Sequence, residues 1–411
     1  MILVAGLSPG IFLRRKKMRK LQRKNIEDTS KWNGKAVGIR MLVIVVAALI
    51  FGLTYWYVHG HLQGEKSKAV QPSSYAKAVV LELIKDDTTK DSQYEGVRKG
   101  SQEISIKITS GEHKGEIHRI TNYLSALYNI NCQKDTKIVV RLDERADGSL
   151  NVAVYNYDRE AVLLGAIVIF VLLLCIIGGK KGVMSLLSLG YTLLMLFFVL
   201  IPALYYGAPM LLTTIGVIIL TNVISFALID GINQKTVSGF LGTSAGVLFA
   251  GLFAYVMGKM THITGFQTTE AESLLIECYD YGLQISNIFT AGILVSALGA
   301  VMDVAMSIAS SIHELATLNP KLKAKDLFRS GMNIGRDAMG TMSNTLILAF
   351  VGSSLSLIIM IYSYQIPLTQ LWSTDLVARE VIQGISGSVG IIMTVPLVAL
   401  FASVIMRKKT V

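Results

Sequence analysis

The chain is 411 residues long, 52% hydrophobic and only 16% charged, with 39 Lys+Arg against 28 Asp+Glu and a formal net charge of +11. Soluble domains carry about 25% charged residues, so this deficit, with a mean hydropathy of +0.52, excludes an ordinary soluble globular protein and points to an α-helical polytopic membrane protein. The cations cluster beside apolar runs, which makes the positive charge a matter of topology and argues against nucleic acid as a partner.

Residues 1–38 form a basic tail, densest from Arg14 to Lys24. Met1–Leu13 is mildly apolar, and Met18 is an alternative start of translation. The first apolar run, Ile39–Val58, is too long for a signal peptide and lacks a small-residue cleavage site, so it reads as an uncleaved transmembrane anchor. Residues 59–160 are predicted to form a β domain outside the membrane. Gly60, Gly64 and Pro72 mark 59–74 as a linker. Beyond it the pattern has period two, as in a half-buried strand: Ile104, Ile106 and Ile108 alternate with Ser105 and Lys107. Strands are predicted at Val79–Ile84, Ile104–Ile108, Glu116–Thr121, Lys137–Asp143 and Leu150–Tyr157. Gly111–Gly115 and Asp147-Gly148 supply turns, and Tyr123–Tyr128 is either a short helix or a bulged strand. Five or six short strands in about 85 residues suit a small closed barrel of the oligonucleotide/oligosaccharide-binding (OB) type. No regularly spaced aromatic platform is present, which favours a docking or gating module over a ligand-binding one.

Residues 161–406 read as a seven-helix membrane core. Its runs are Ala161–Ile177, Val183–Leu200, Met210–Ile229, Val237–Gly258, Ile285–Ala309, Thr341–Tyr362 and Val381–Met406, each near the roughly 20 residues that span a bilayer. With the anchor, that makes about eight transmembrane helices. Lysines and arginines gather in the N-terminal tail, at Lys180-Lys181, at Lys235, in the 310–340 loop and in the basic tail 407–411. The alternate short loops hold only Lys259 and Arg379. This bias places both termini in the cytoplasm and residues 59–160 outside. Lys321, Lys323 and Lys325, followed by Leu327, Phe328 and Met332, suit either an interfacial amphipathic helix on anionic lipid or a plain basic loop. Cys175 lies in a span; Cys132 and Cys278 are both predicted outside, so a disulfide between them is open.

Asp303 is the one charged residue that cannot be placed outside an apolar run. A carboxylate at that depth costs roughly 2.5 to 3.5 kcal/mol and calls for a partner, a water-filled cavity or a proton. Gly292, Ser296, Gly299, Asp303, Ser307, Ser310 and Glu314 recur at intervals of three or four, so they share one helix face opposite Leu294, Val301 and Ile308. A small-residue seam for a neighbouring helix explains the glycines and serines; a proton, cation or substrate site explains Asp303 as well. Candidate partners for it are Arg336, Asp337 and Asn344 at the start of the seventh span and Asn222 in the fourth. Gly242 and Gly246 form a GxxxG pair that reads as a packing face. Enzyme chemistry is disfavoured. Ala316 and Thr317 follow His313-Glu314 where a zinc protease needs a second histidine. There is also no nucleophile elbow, no phosphate loop and no second intramembrane aspartate, and no cofactor is expected.

The string Gly299-Ala-Val-Met-Asp303-Val-Ala-Met-Ser307-Ile-Ala-Ser-Ser-Ile-His-Glu314 resembles the YibE/F family of bacterial membrane proteins. So does Asn333-Ile-Gly-Arg336-Asp337-Ala-Met-Gly340-Thr-Met-Ser-Asn344-Thr345 with its continuation to Gly352-Ser-Ser. The resemblance runs from about Lys77 to Met406. It implies a multi-pass protein of the cell membrane with a paralogous subunit as partner in a hetero-oligomer, a homo-oligomer being the alternative. It supplies no substrate. Two readings of function follow: a permease or transport component for a small solute or ion with an Asp303-centred proton or cation site, or a non-transporting scaffold or sensor whose outer domain docks a cell-envelope partner.

Overall fold

The computed structural model describes residues 34–62, 74–92, 94–144, 150–263, 274 and 287–407. The Met18 start, the linker beyond residue 62, the Asp147-Gly148 turn and Cys278, with its pairing to Cys132, lie outside the described residues. The chain divides into two compact units, Ser67–Ile177 and the remainder.

The first unit is a curled antiparallel half-barrel of six strands: β1 (Ser74–Asp86), β2 (Thr89–Lys90), β3 (Arg98–Ile108), β4 (Ile117–Leu124), β5 (Lys137–Glu144) and β6 (Leu150–Tyr157). Strand β1 lies between β3 and β5; β4 and β2 pair with β3, and β6 pairs with β5. The five main strands therefore run in the order β4-β3-β1-β5-β6. Alternation dictates the inner face. Ala76, Ala78 and Val80 of β1, Ile104, Ile106 and Ile108 of β3, and Ile138, Val140 and Leu142 of β5 are all buried together. The expected closed barrel is not reached. No ladder joins β4 to β6 among the described residues, because β4 ends at Leu124 and Ser125–Asp135 crosses without strand pairing. Tyr123 and Leu124 accordingly close β4, and Ser125–Tyr128 is neither a helix nor a strand.

A polar knot fastens that crossing to the sheet. Gln102 is fully buried; its Nε2 donates to Asn131 Oδ1 at 3.0 Å and its Oε1 accepts from the Cys132 amide at 2.9 Å. Asn122 Nδ2 donates to the Ile130 carbonyl at 2.7 Å, and the Tyr157 hydroxyl accepts from the Asn131 amide at 2.7 Å. Each buried polar atom in the knot has a partner, as burial requires. Cys132 sits in the core, unpaired among the described residues, with its thiol pKa pushed up to about 11 by burial. Gly111 and Gly115 take φ of +83° and +102° in the β3–β4 turn, the conformation glycine supplies at little cost.

The second unit is helical. Helix α1 (Gly34–Tyr57) and the later part of α2 (Glu160–Met195) pack on α3 (Met210–Asp230) through Ala47, Tyr191, Met195, Val217 and Ile224. Besides two short helices, Ile201–Tyr205 and Leu368–Ser373, the described residues hold α4 (Gln234–Met260), α5 (Ile288–Leu318), α6 (Ala324–Ser353), α7 (Leu355–Ser363) and α8 (Asp375–Ile405). Among the described residues six helical stretches are long and apolar enough to cross a membrane, or seven if α6 and α7, bent by 61° at Ser354, count as one. The difference from eight arises at Gly179. The two apolar runs on either side of it have the lengths of separate spans, but helical structure is continuous through Glu160–Tyr205, broken only where Gly179 adopts φ +53°, ψ −132°. Glycine tolerates that pair of angles, so the chain bends there with no intervening loop.

Helix boundaries follow local chemistry. Gly231 (φ +77°) ends α3, and the Asn233 side chain caps α4 by accepting from the Thr236 amide at 2.9 Å. Lys235 pairs with Asp230 across that turn at 2.7 Å. At the start of α6 the Asp326 carboxylate accepts from the Lys323 amide at 3.3 Å.

Glycine sets the closest approaches. A Cβ added to Gly242 would run into Val398, and one on Gly246 into Thr394 and the Gly390 carbonyl; one on Gly390 would lie 2.8 Å from Ala250 Cβ. The GxxxG pair is therefore a packing face, and its partner is α8, which runs antiparallel to α4. Gly331 and Gly335 play the same part on α6, against Ile312 and Ala399 and against Ile308 and Val395. That overturns the interfacial-helix and basic-loop readings of residues 319–335. From Ala324 the segment is the first half of α6, with Leu327, Gly331 and Gly335 buried on α5 and α8. Alanine, glycine and leucine at this spacing face helices, leaving only Asn319–Lys323 as a connection.

Candidate functional site

Helix α5 turns its apolar side to the bundle. Leu294, Ala297, Val301, Val304, Ala305, Ile308, Ala309 and Ile312 are buried. Gly292, Ser296, Gly299, Asp303, Ser307 and Glu314 are exposed on the opposite side, with Ser310 half-buried. The shared face is thus real, but it is no seam between helices of this chain. From Ile288 to Thr317 no large hydrophobic side chain is exposed, whereas α1, α2 and α4 expose many, including Leu53, Leu163, Leu173 and Leu252. Polarity is distributed as on a soluble helix, inside a stretch apolar enough to cross a membrane.

Helix α6 does likewise up to Thr345, beyond which Ile347, Leu348 and Val351 are exposed. Arg329, Asn333, Arg336, Asp337, Gly340, Thr341, Asn344 and Thr345 are exposed. The two helices form an antiparallel hairpin whose register is fixed by Gly331 against Ile312 and Gly335 against Ile308. Each step down one helix is a step up the other. Continuing that register sets Glu314 level with Arg329, Ser307 with Arg336, and Asp303 with Gly340. Asp303 is then one helical turn, about 6 Å, from the Arg336 level.

Level is not contact. Among the described residues, the carboxylates of Asp303, Glu314 and Asp337, the Arg336 guanidinium and the Asn344 amide make no hydrogen bond or ion pair. An Asp303–Arg336 or Asp303–Asn344 pair is absent within the chain. Ser307 donates to the Asp303 carbonyl at 2.8 Å, and Ser311 to the Ser307 carbonyl at 2.9 Å, so the serine hydroxyls are held by their own helix. Asn222 belongs to a different place: it is fully buried between α3 and α4, where its Nδ2 donates to Ser244 Oγ at 3.1 Å. Its Oδ1, with Ser225 Oγ and Thr243 Oγ1, has no partner among the described residues. The structure therefore groups Asp303, Ser307, Glu314, Arg336, Asp337 and Asn344 on the outer faces of one hairpin and separates Asn222 from them.

Two features escape sequence reasoning. One is a groove of about 390 Å³ at the bend between α6 and α7, walled by Phe350, Ile358, Leu371, Val381 and Ile385, with Glu380 at its edge; a helix bend at a serine carries no sequence signal. The other is a surface cluster in the β unit. Glu116 accepts from His113 at 3.0 Å and from His118 at 2.8 Å, and Glu144 lies 3.7 Å from His113. Hydrogen bonding to Glu116 raises the His113 pKa. The described residues hold no metal-competent set of three or more such ligands.

These features define a class: a helical bundle whose helices are long and apolar enough to cross a membrane, a β half-barrel, and a polar-faced hairpin in the bundle. Within that class the chain belongs to the YibE/F-like protein family, whose model matches residues 166–408, and residues 73–157 match the YibE/F family N-terminal domain. Comparison with curated proteins and with solved structures finds no match.

Proposed function

We propose that this protein is a membrane transport component in which Asp303 is the ion- or proton-coupling carboxyl. The observation that carries the reading is the exposed polar face of α5, with an unpaired carboxylate midway along a helix otherwise fit to lie in a bilayer. The kink at Gly179, beside Lys180-Lys181, supports two crossings within Glu160–Tyr205, and hence eight spans with both termini and the lysine pair on the cytoplasmic side. The strand order β4-β3-β1-β5-β6 supports an outer domain of the OB type, with a docking or gating role.

The test is ion flux in proteoliposomes. Wild-type protein is expected to collapse an imposed pH or sodium gradient faster than empty vesicles, and Asp303→Asn to fall back to the empty-vesicle rate while keeping its gel-filtration profile. If the wild type matches empty vesicles under every gradient, or Asp303→Asn matches the wild type, the coupling role is wrong. The scaffold reading then takes its place, with the outer β unit as the docking element.

A further inference from the structure

We infer that the exposed faces of α5 and α6 are the contact between two copies of this chain, packed about a two-fold axis along the membrane normal. The inference rests on the membrane reading above but not on transport. Lipid is a poor cover for this surface. Asp303, Asn344, Thr341 and Thr345 would each meet hydrocarbon, and a single aspartate there costs roughly 2.5 to 3.5 kcal/mol. The large apolar side chains exposed on α1, α2 and α4 are missing along α5 from Ile288 to Thr317, and on α6 they begin only at Ile347. Gly292, Ser296 and Gly299 instead leave α5 with a shallow surface, the kind that lets a second helix come close in a membrane. A Cβ added to Gly292, Gly299 or Gly340 would meet nothing within 4 Å, so these glycines are not required by packing within the chain.

The choice of a second copy over another protein follows from charge. A two-fold contact uses the same patch on both subunits, so that patch must carry both halves of every pairing. This one does. Acids stand on α5 (Asp303, Glu314) and arginines on α6 (Arg329, Arg336), with Glu314 level with Arg329 and Asp303 one turn from Arg336. An axis along the membrane normal preserves those levels between copies. The Asp303 carboxylate, unpaired among the described residues, gains Arg336 or Asn344 of the second copy as its partner, so the site is incomplete in a monomer.

Cysteine cross-linking in native membranes tests this. In a chain carrying Cys175→Ser and Cys278→Ser, with Cys132 buried in the β core, Ser296→Cys, Gly299→Cys and Ser307→Cys are each treated with a short bismaleimide. Covalent dimers are expected from all three and none from Leu252→Cys, which sits on the apolar exterior. Gly299→Leu, expected to fold because that position is open, should shift the purified protein from dimer to monomer mass. Dimers at Leu252→Cys but not along α5, labelling of Ser296→Cys by a water-soluble maleimide without any dimer, or an unchanged mass for Gly299→Leu would each overturn the inference. Recovery of the protein outside the membrane fraction would instead overturn the membrane reading.

Discussion

Gly246→Leu is expected to abolish the folded helical bundle. The α4–α8 contact is built on Gly242 and Gly246 meeting Val398, Thr394 and Gly390, and even a methyl at Gly246 would overlap Thr394. Overpacking of a well-filled core costs about 1–3 kcal/mol when neighbours can shift. Here one obstacle is the Gly390 backbone carbonyl, and the Thr394 hydroxyl is already committed to that same carbonyl at 2.7 Å. The helices must separate, and with them the contacts of α8 on α5 and α6. Fluorescence-detected gel filtration after a heating series should show Gly246→Leu aggregated or strongly shifted to low temperature. Gly216→Leu, on α3 where a Cβ meets nothing within 4 Å, should behave like the wild type. Similar profiles for both variants would mean that the α4–α8 approach is looser than described.

Ile106→Ala is expected to loosen the whole β unit without disturbing the bundle. Ile106 is fully buried at the centre of β3, beside Val80 of β1 and across from His118 of β4. Large-to-small changes of this kind cost about 2–5 kcal/mol, part lost transfer free energy and part cavity. The half-barrel has a small core, so a loss of about 3 kcal/mol removes much of its margin. Hydrogen exchange on the full-length protein reads this directly. Amides of β1, β3 and β5 should exchange about two orders of magnitude faster, while peptides from α4 and α8 keep their wild-type rates. Unchanged protection in β3 would mean that the core does not depend on this residue.

Much of this architecture was legible in the residues, for identifiable reasons. Strand patterning placed β5 and β6 closely and the end of β3 at Ile104–Ile108, because one face of each is buried and a slip would invert it. Hydropathy placed α3 and α4 to within a few residues, since both are bounded by capping and turn residues at Gly231 and Asn233. The GxxxG pair was legible as a packing face, though nothing local names α8 as its partner. What could not be read was decided by tertiary structure. Gly178-Gly179-Lys180-Lys181 has the composition of a loop, yet the backbone only kinks at Gly179. Residues 324–335 have the composition of a surface helix, yet Gly331 and Gly335 seat it in the bundle. The polar face of α5 followed from spacing alone, but its direction did not. A helical wheel says which residues share a side and is silent on whether that side looks inward. The inward side is the apolar one, and this moves Asp303 from a presumed interhelical pair to an outward-facing group awaiting a partner.

The central claim is that the α5–α6 face, though turned away from the bundle, does not meet lipid. Spin labels placed one at a time at Gly292, Ser296, Gly299, Asp303 and Ser307, and for reference at Leu163, Leu173 and Leu252, report this by collision with molecular oxygen, which dissolves in the bilayer. The account predicts low oxygen accessibility along the α5 series and high accessibility at the three leucines. Oxygen accessibility along α5 equal to that at Leu252 would contradict it.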